Sequence, residues 1–77
     1  MNFETIKKLF VDKGKISFRL YSMEYVVEQC DDNKIVMYAE QYKDDKHYYN
    51  SIDELFSKYT VYNETIMDNI NRIKVLD

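Results

Sequence analysis

The sequence predicts an α+β fold: a four-stranded antiparallel meander, with an N-terminal helix and two C-terminal helices packed on one face of the sheet. Apolar and polar residues alternate between Lys15 and Tyr49, which is typical of half-buried strands. Before and after that stretch, apolar residues recur at helical spacing. With 77 residues, the chain is expected to form one small domain, residues 1–77.

The first helix is predicted to begin at Asn2 and to end at Lys13. Asn2 is a favourable N-cap residue, and Gly14, the only glycine, is expected to follow the helix in the left-handed conformation. The apolar positions are Phe3, Ile6, Leu9 and Phe10. They lie on one face, which is predicted to pack on the sheet.

The first hairpin follows from the alternation in residues 15–21. A two-residue turn at Ser22-Met23 is expected, because it brings large apolar residues opposite one another. The predicted pairs are Leu20 with Tyr25, Phe18 with Val27, and Arg19 with Val26. The first two pairs point to the inner face, toward the helices, and the third points to the outer face.

The second hairpin is predicted to turn at Asp31-Asp32-Asn33, with Asn33 left-handed. A further turn is expected at Asp44-Asp45. In the two later strands, the residues predicted to point inward are Ile35, Met37, Ala39 and Tyr48. Those predicted to point outward are Val36, Tyr38, Glu40, Tyr42, His47 and Tyr49.

Two helices are predicted after the meander. Ser51 and Glu54 form a capping-box pattern, in which the Glu54 carboxylate is expected to bind the Ser51 amide. Asn63 is expected to cap a third helix bearing Ile66, Met67, Ile70 and Ile73. Residues 74–76 are expected either to add a short final strand or to fray.

The sequence contains no pattern that predicts catalysis or metal binding. Cys30 and His47 are the only residues of their types, and neither is predicted to have the third residue that orients a nucleophile and base pair. The paired aspartates are explained by turn chemistry. We therefore expect no enzymatic activity, no catalytic residue, no metal and no cofactor.

Charge and hydropathy limit the partner and the compartment. The net charge is −3, and acidic and basic residues are mixed along the chain, so direct binding to nucleic acid is not expected. No apolar run is long enough to cross a bilayer, and a single cysteine forms no internal disulfide. A cytoplasmic protein with no membrane partner is the expectation.

The outer sheet face is the predicted binding surface, because tyrosine and arginine combine large area with polar groups. Its predicted partner-binding residues are Arg19, Tyr21, Val26, Tyr38, Tyr42 and Tyr49. The leading hypothesis is a small non-enzymatic interaction module that binds a protein partner of unknown identity through this open face or through its edge strand. Homodimerisation through the same face is the alternative mode of binding, and strand propensity alone is the competing explanation for these residues.

Three segments carry a resemblance to known sequences: residues 14–18, residues 24–28 and residues 51–56. Together they resemble short uncharacterised proteins of low-GC Gram-positive bacteria and their phages. The resemblance implies an α+β fold and a mobile-element origin, and it assigns no residue a role. An alternative function is therefore an inhibitor of a host nucleic-acid-binding defence enzyme, of the anti-CRISPR or anti-restriction type.

Overall fold

A five-stranded antiparallel sheet lies at the centre of the computed structural model, which describes residues 2–76. The strands in chain order are β1 Lys15–Leu20, β2 Met23–Gln29, β3 Ile35–Ala39, β4 His47–Tyr49, β5 Thr60–Val61, β6 Glu64–Thr65 and β7 Lys74–Val75. The sheet order is β4-β3-β2-β1-β7, and β5 and β6 form a separate hairpin. The fold is α+β, and the predicted meander forms four of the five strands.

The first α-helix, α1, spans Phe3–Lys13 and ends as the sequence predicts. The Asn2 side chain accepts the backbone N–H of Thr5 at 2.9 Å, which confirms the predicted N-cap. Gly14 has a φ of 73°, and its N–H donates to the carbonyl of Phe10 at 2.7 Å. A residue other than glycine or asparagine is disfavoured in this left-handed conformation.

The second α-helix, α2, spans Ile52–Lys58, and its N-cap is Ser51. The Ser51 hydroxyl accepts the N–H of Glu54 at 3.1 Å, as predicted. The Glu54 carboxylate instead accepts the N–H of Asn50, at 2.9 Å, so the predicted return bond to Ser51 is wrong by one residue. This bond from Asn50 stabilises the charged carboxylate and holds the pKa of Glu54 below its usual value.

The helices and the inner sheet face enclose the hydrophobic core. The Phe18 ring lies 5.5 Å from the Tyr25 ring and 6.3 Å from the Phe56 ring, so it joins β1 to β2 and to α2. The buried apolar residues of this core are Ile6, Phe10, Ile16, Phe18, Leu20, Tyr25, Val27, Ile35, Met37, Ala39, Ile52, Leu55, Phe56, Ile66 and Ile73. The inward-facing residues predicted for the first three strands are confirmed.

The first hairpin turns one residue earlier than predicted, at Tyr21-Ser22. The observed pairs are Leu20 with Met23, Phe18 with Tyr25, and Arg19 with Glu24. The predicted register is therefore wrong by two residues. Because side chains alternate with a period of two, this shift leaves every residue on its predicted face. In the second hairpin, Asn33 has a φ of 66°, as expected.

In the fourth strand, each side chain points to the face opposite to the predicted one. β3 ends at Ala39, and a 3-10 helix, Glu40–Tyr42, lengthens the connection to β4. The resulting pairs are Ile35 with Tyr49, Val36 with Tyr48 and Met37 with His47. Tyr49 and His47 therefore share the face of the buried Ile35 and Met37, and Tyr48 points outward. A shift by an odd number of residues reverses every side chain.

The predicted third α-helix does not form. Its place is taken by the β5–β6 hairpin and a 3-10 helix, Met67–Arg72. The N–H of Asn69 donates to the carbonyl of Ile66 at 3.0 Å, while its side-chain amide donates to the carbonyl of Thr65 at 2.9 Å. The side chain thus takes the acceptor that an α-helix would offer to the Asn69 N–H.

The C-terminal segment joins the sheet as an edge strand. β7 pairs antiparallel with β1, and Lys74 lies opposite Arg19. The N–H of Leu76 also donates to the carbonyl of Ser17, at 2.9 Å. Of the two alternatives for residues 74–76, the short strand is confirmed. Among the helices of residues 2–76, none is long and apolar enough to cross a membrane.

Replacing Phe18 with alanine should lower the free energy of unfolding by about 3–5 kcal/mol, because it leaves a cavity between the sheet and α2. Val11 is the matched control, since its side chain is 70% exposed on α1. Val11→Ala should change the free energy by less than about 0.5 kcal/mol. Urea unfolding followed by circular dichroism measures both values. Similar losses in the two variants would contradict the assignment of the core.

Candidate functional site

The outer sheet face is covered by its own side chains. Val26 is only 3% exposed, although it is not part of the apolar core on the inner face. Its cross-strand neighbour Tyr38 donates a hydrogen bond to the Glu28 carboxylate at 2.8 Å, and Arg19 pairs with Glu24 at 3.3 Å. These long side chains lie over the face. The expected exposure of Val26 is therefore wrong, while its role in partner binding stays a prediction.

The remaining predicted residues do not share one surface. Arg19 and Tyr38 lie on the outer face, where the Lys46 ammonium also lies 5.7 Å from the centre of the Tyr38 ring. Tyr42 belongs to a 3-10 helix beyond the end of β3 and is exposed there. Tyr49 faces inward and packs against the core, and burial raises its pKa. The predicted six-residue site is not assembled.

Tyr21 lies in the turn of the first hairpin and contacts Tyr62, which is not one of the predicted binding residues. Its ring lies 5.2 Å from the Tyr62 ring, edge to face, and the two side chains are 42% and 77% exposed. Tyr62 lies in the turn of the β5–β6 hairpin. We call these two residues the tyrosine tip.

Both tyrosines adopt backbone conformations that disfavour large side chains. Tyr21 has a φ of 57°, and it is the first central residue of a two-residue turn, where glycine is usual when φ is positive. Tyr62 and Asn63 have φ values of 53° and 66°, the pattern of a type I′ turn. Left-handed backbone costs a residue with a Cβ about 1–2 kcal/mol. Positive φ therefore lowers the stability of the fold at Tyr21 and Tyr62, two exposed tyrosines whose rings are in contact.

A buried amide holds the tyrosine tip against the rest of the fold. Asn69 is 0% exposed and is the only buried polar residue among residues 2–76. Its Oδ1 accepts the Tyr21 hydroxyl at 2.9 Å and Arg72 Nη1 at 3.1 Å. Its Nδ2 donates to the Thr65 carbonyl. The Asn69 side chain therefore links the first hairpin, the β5–β6 hairpin and the 3-10 helix Met67–Arg72.

The residues with possible reactive chemistry are not brought together. His47 Nε2 lies 3.4 Å from Asp45 Oδ1, and its ring packs edge to face on Tyr59 at 5.1 Å. The N–H of Cys30 donates to the Lys34 carbonyl beside the second turn. Within residues 2–76, no group of three or more metal-binding side chains occurs and no pocket forms.

Sequence reasoning missed Tyr62 and Asn69 for different reasons. Asn63 is predicted to cap a helix, although asparagine is also favoured in tight turns, where it tolerates positive φ. Asn69 sits among residues with helical spacing, and nothing in its local sequence indicates burial. Its partner Tyr21 is 48 residues away.

No protein-family model, no curated protein and no solved structure matches the chain.

The Tyr38 phenol should titrate at a pKa of about 12, chiefly because it donates a hydrogen bond to the Glu28 carboxylate. Since this pKa is raised, its contribution to stability is complete below pH 10 and is lost as the pH rises through about 12. In Glu28→Gln, the pKa of Tyr38 should move toward 10.0. NMR shifts of the phenol carbons measure each tyrosine separately. An unchanged pKa of Tyr38 in Glu28→Gln would contradict the Tyr38–Glu28 hydrogen bond. The pKa of Tyr49, on the inner face, is the control.

Tyr21→Gly should be more stable than Tyr21→Ala by about 1 kcal/mol, because only glycine adopts positive φ without strain. Both variants lack the ring and the hydroxyl, so their difference isolates the backbone. At Ser17, in the middle of β1, the order should be reversed, with alanine more stable than glycine. Chemical unfolding of the four variants checks this. Alanine being the more stable at both positions would show that Tyr21 is not left-handed.

Proposed function

We propose that the chain is a small non-enzymatic interaction module that binds a protein partner through the tyrosine tip. The observation that supports this proposal is the exposed edge-to-face pair of Tyr21 and Tyr62 at two strained turns. Tyr62 has the largest exposed fraction among the large hydrophobic residues described. Strained residues concentrate at functional sites, because elsewhere their cost brings no benefit.

The tyrosine tip has the physical properties of a binding anchor. A tyrosine ring brings a large apolar surface, and its hydroxyl finds polar partners at an interface. The Asn69 bond and the ring contact order the Tyr21 side chain before binding. A partner therefore avoids part of the entropy cost of fixing flexible side chains, which is about 0.5–1.5 kcal/mol for each one.

The inhibitor of a nucleic-acid-binding enzyme is the less favoured proposal. A mimic of nucleic acid presents a dense array of negative charge. Four carboxylates of residues 2–76 are instead paired with Lys or Arg side chains at 2.9–3.7 Å. These carboxylates belong to Glu24, Glu40, Asp53 and Glu54. A surface of mixed charge favours contact with another protein over mimicry of nucleic acid.

The resemblance to short proteins of low-GC Gram-positive bacteria and their phages suggests where a partner is to be sought. We place the proposed module in the cytoplasm of such a cell. A second copy of the chain is the alternative occupant of the tyrosine tip. Sedimentation of the purified protein at several concentrations distinguishes self-association from binding to another protein.

Tyr62→Ala should weaken partner binding by about 1–3 kcal/mol, because it removes a central aromatic anchor. Tyr48→Ala is the matched control, since Tyr48 is an exposed tyrosine on the outer face of β4. Tagged wild type and both variants are used to capture proteins from a low-GC Gram-positive lysate. The bound proteins are quantified by mass spectrometry.

The expected result is a protein that wild type and Tyr48→Ala retain and Tyr62→Ala loses. Titration of that purified protein then measures the difference in affinity. Equal retention by Tyr62→Ala, or equal loss in the two variants, would contradict a binding site at the tyrosine tip. Circular dichroism of each variant establishes that the comparison is made between folded proteins.

A further inference from the structure

Arg72 places a guanidinium beside the tyrosine tip. Its Nη1 and the Tyr21 hydroxyl both donate to the same oxygen, Asn69 Oδ1, at 3.1 and 2.9 Å. This shared acceptor fixes the guanidinium next to the Tyr21 phenol. Arg72 is exposed, and among residues 2–76 no carboxylate lies within ion-pair distance of it.

The carboxylates near the tyrosine tip do not satisfy this charge. Asp68, in the same 3-10 helix as Arg72, accepts the backbone N–H of Thr65 at 3.2 Å. Glu24 pairs with Arg19 on the outer face. Glu64 follows the turn of the β5–β6 hairpin and is exposed. The free N–H groups of Arg72 thus form a planar fork that matches a carboxylate from another molecule.

Building on the proposed function, we infer that the tyrosine tip binds an acidic segment of its partner protein. A partner carboxylate binds the Arg72 guanidinium, and the neighbouring partner residue packs on the exposed ring of Tyr62. Asn69 acts as a positioning residue, because one buried oxygen holds both the phenol and the guanidinium. The attraction is local, since the chain carries a net charge of −3 and salt screens distant charges.

A phosphate backbone fits this surface less well than an acidic peptide. Binding to nucleic acid draws its affinity from several basic side chains that contact successive phosphates. Among residues 2–76, Arg72 is the basic residue that a hydrogen bond places at the tyrosine tip, and the acidic Glu64 follows Tyr62-Asn63 in the chain. A carboxylate with an adjacent apolar group matches one guanidinium and one ring.

In the test, random short peptides displayed on phage are selected for binding to the immobilised chain of residues 1–77. Peptides that also bind Tyr62→Ala are removed by counter-selection. The expected peptides are enriched in aspartate and glutamate next to an apolar residue. Their affinity should fall by about tenfold or more in Arg72→Met, since a charge-assisted hydrogen bond is lost. The peptide affinity of Arg72→Lys should lie between those of wild type and Arg72→Met, because lysine keeps the charge but lacks the planar fork of N–H donors.

Two controls separate charge at the tyrosine tip from charge in general. Lys58→Met removes a basic residue of α2 that is paired with Glu54, and it should leave peptide affinity unchanged. Glu64→Gln removes a repelling carboxylate and should raise the affinity. Higher salt should weaken the wild-type complex and have less effect on the complex of Arg72→Met.

The outcomes distinguish this inference from the proposed function. Peptides that require Tyr62 but lack acidic enrichment would overturn the acidic partner and leave the proposed function standing. A single-stranded oligonucleotide that displaces the peptides and binds more tightly would also overturn it. If no peptide distinguishes wild type from Tyr62→Ala, both proposals fail. The composition of the selected peptides is read on wild type alone, so it is independent of how the Arg72 variants fold.

Discussion

The packing of the Phe18 ring against Tyr25 and Phe56 is the contact on which the rest of the structure depends. A chain of this size buries a limited share of its surface, so its stability rests on a few large apolar side chains. Phe18 and Phe56 are fully buried and join the sheet to α2. The register of β1 and β2 and the position of α2 follow from this one cluster.

The second organising contact is polar. Asn69 is buried beside the apolar core, and its amide is satisfied by the Tyr21 hydroxyl, the Arg72 guanidinium and the Thr65 carbonyl. An unpaired buried amide would cost more than its hydrogen bonds contribute, so these partners must be in place together. The amide thereby specifies how the C-terminal segment docks on the first hairpin. It also brings two distant turns to one point on the surface.

The two tyrosines at that point are costly for the fold. Left-handed turns with glycine or asparagine at the same positions would be easier to form. Natural sequences are marginally stable, and retained strain marks positions where another requirement outweighs stability. We infer that this requirement is binding, and the neighbouring guanidinium gives the chemistry of the group that is bound.

The sequence by itself determined the elements whose signals are local. Asn2 and Gly14 delimit α1, Ser51 begins α2, and alternation identifies the inner residues of the first three strands. Each of these rests on a cap or a period within a few residues. The register predicted for β1 and β2 is wrong by two residues, but the side chains still lie on their predicted faces. This is because side chains alternate along a strand with a period of two.

Only the tertiary structure decided the fourth strand, the segment after α2 and the tyrosine tip. The 3-10 helix after Ala39 changes the register of β4 by an odd number of residues, which reverses Tyr48 and Tyr49. Helical spacing after Asn63 is overridden by the side-chain bonds of Asn69. The tyrosine tip joins Tyr21 to Tyr62 across the chain, and local patterns carry no information on which distant turns meet in space.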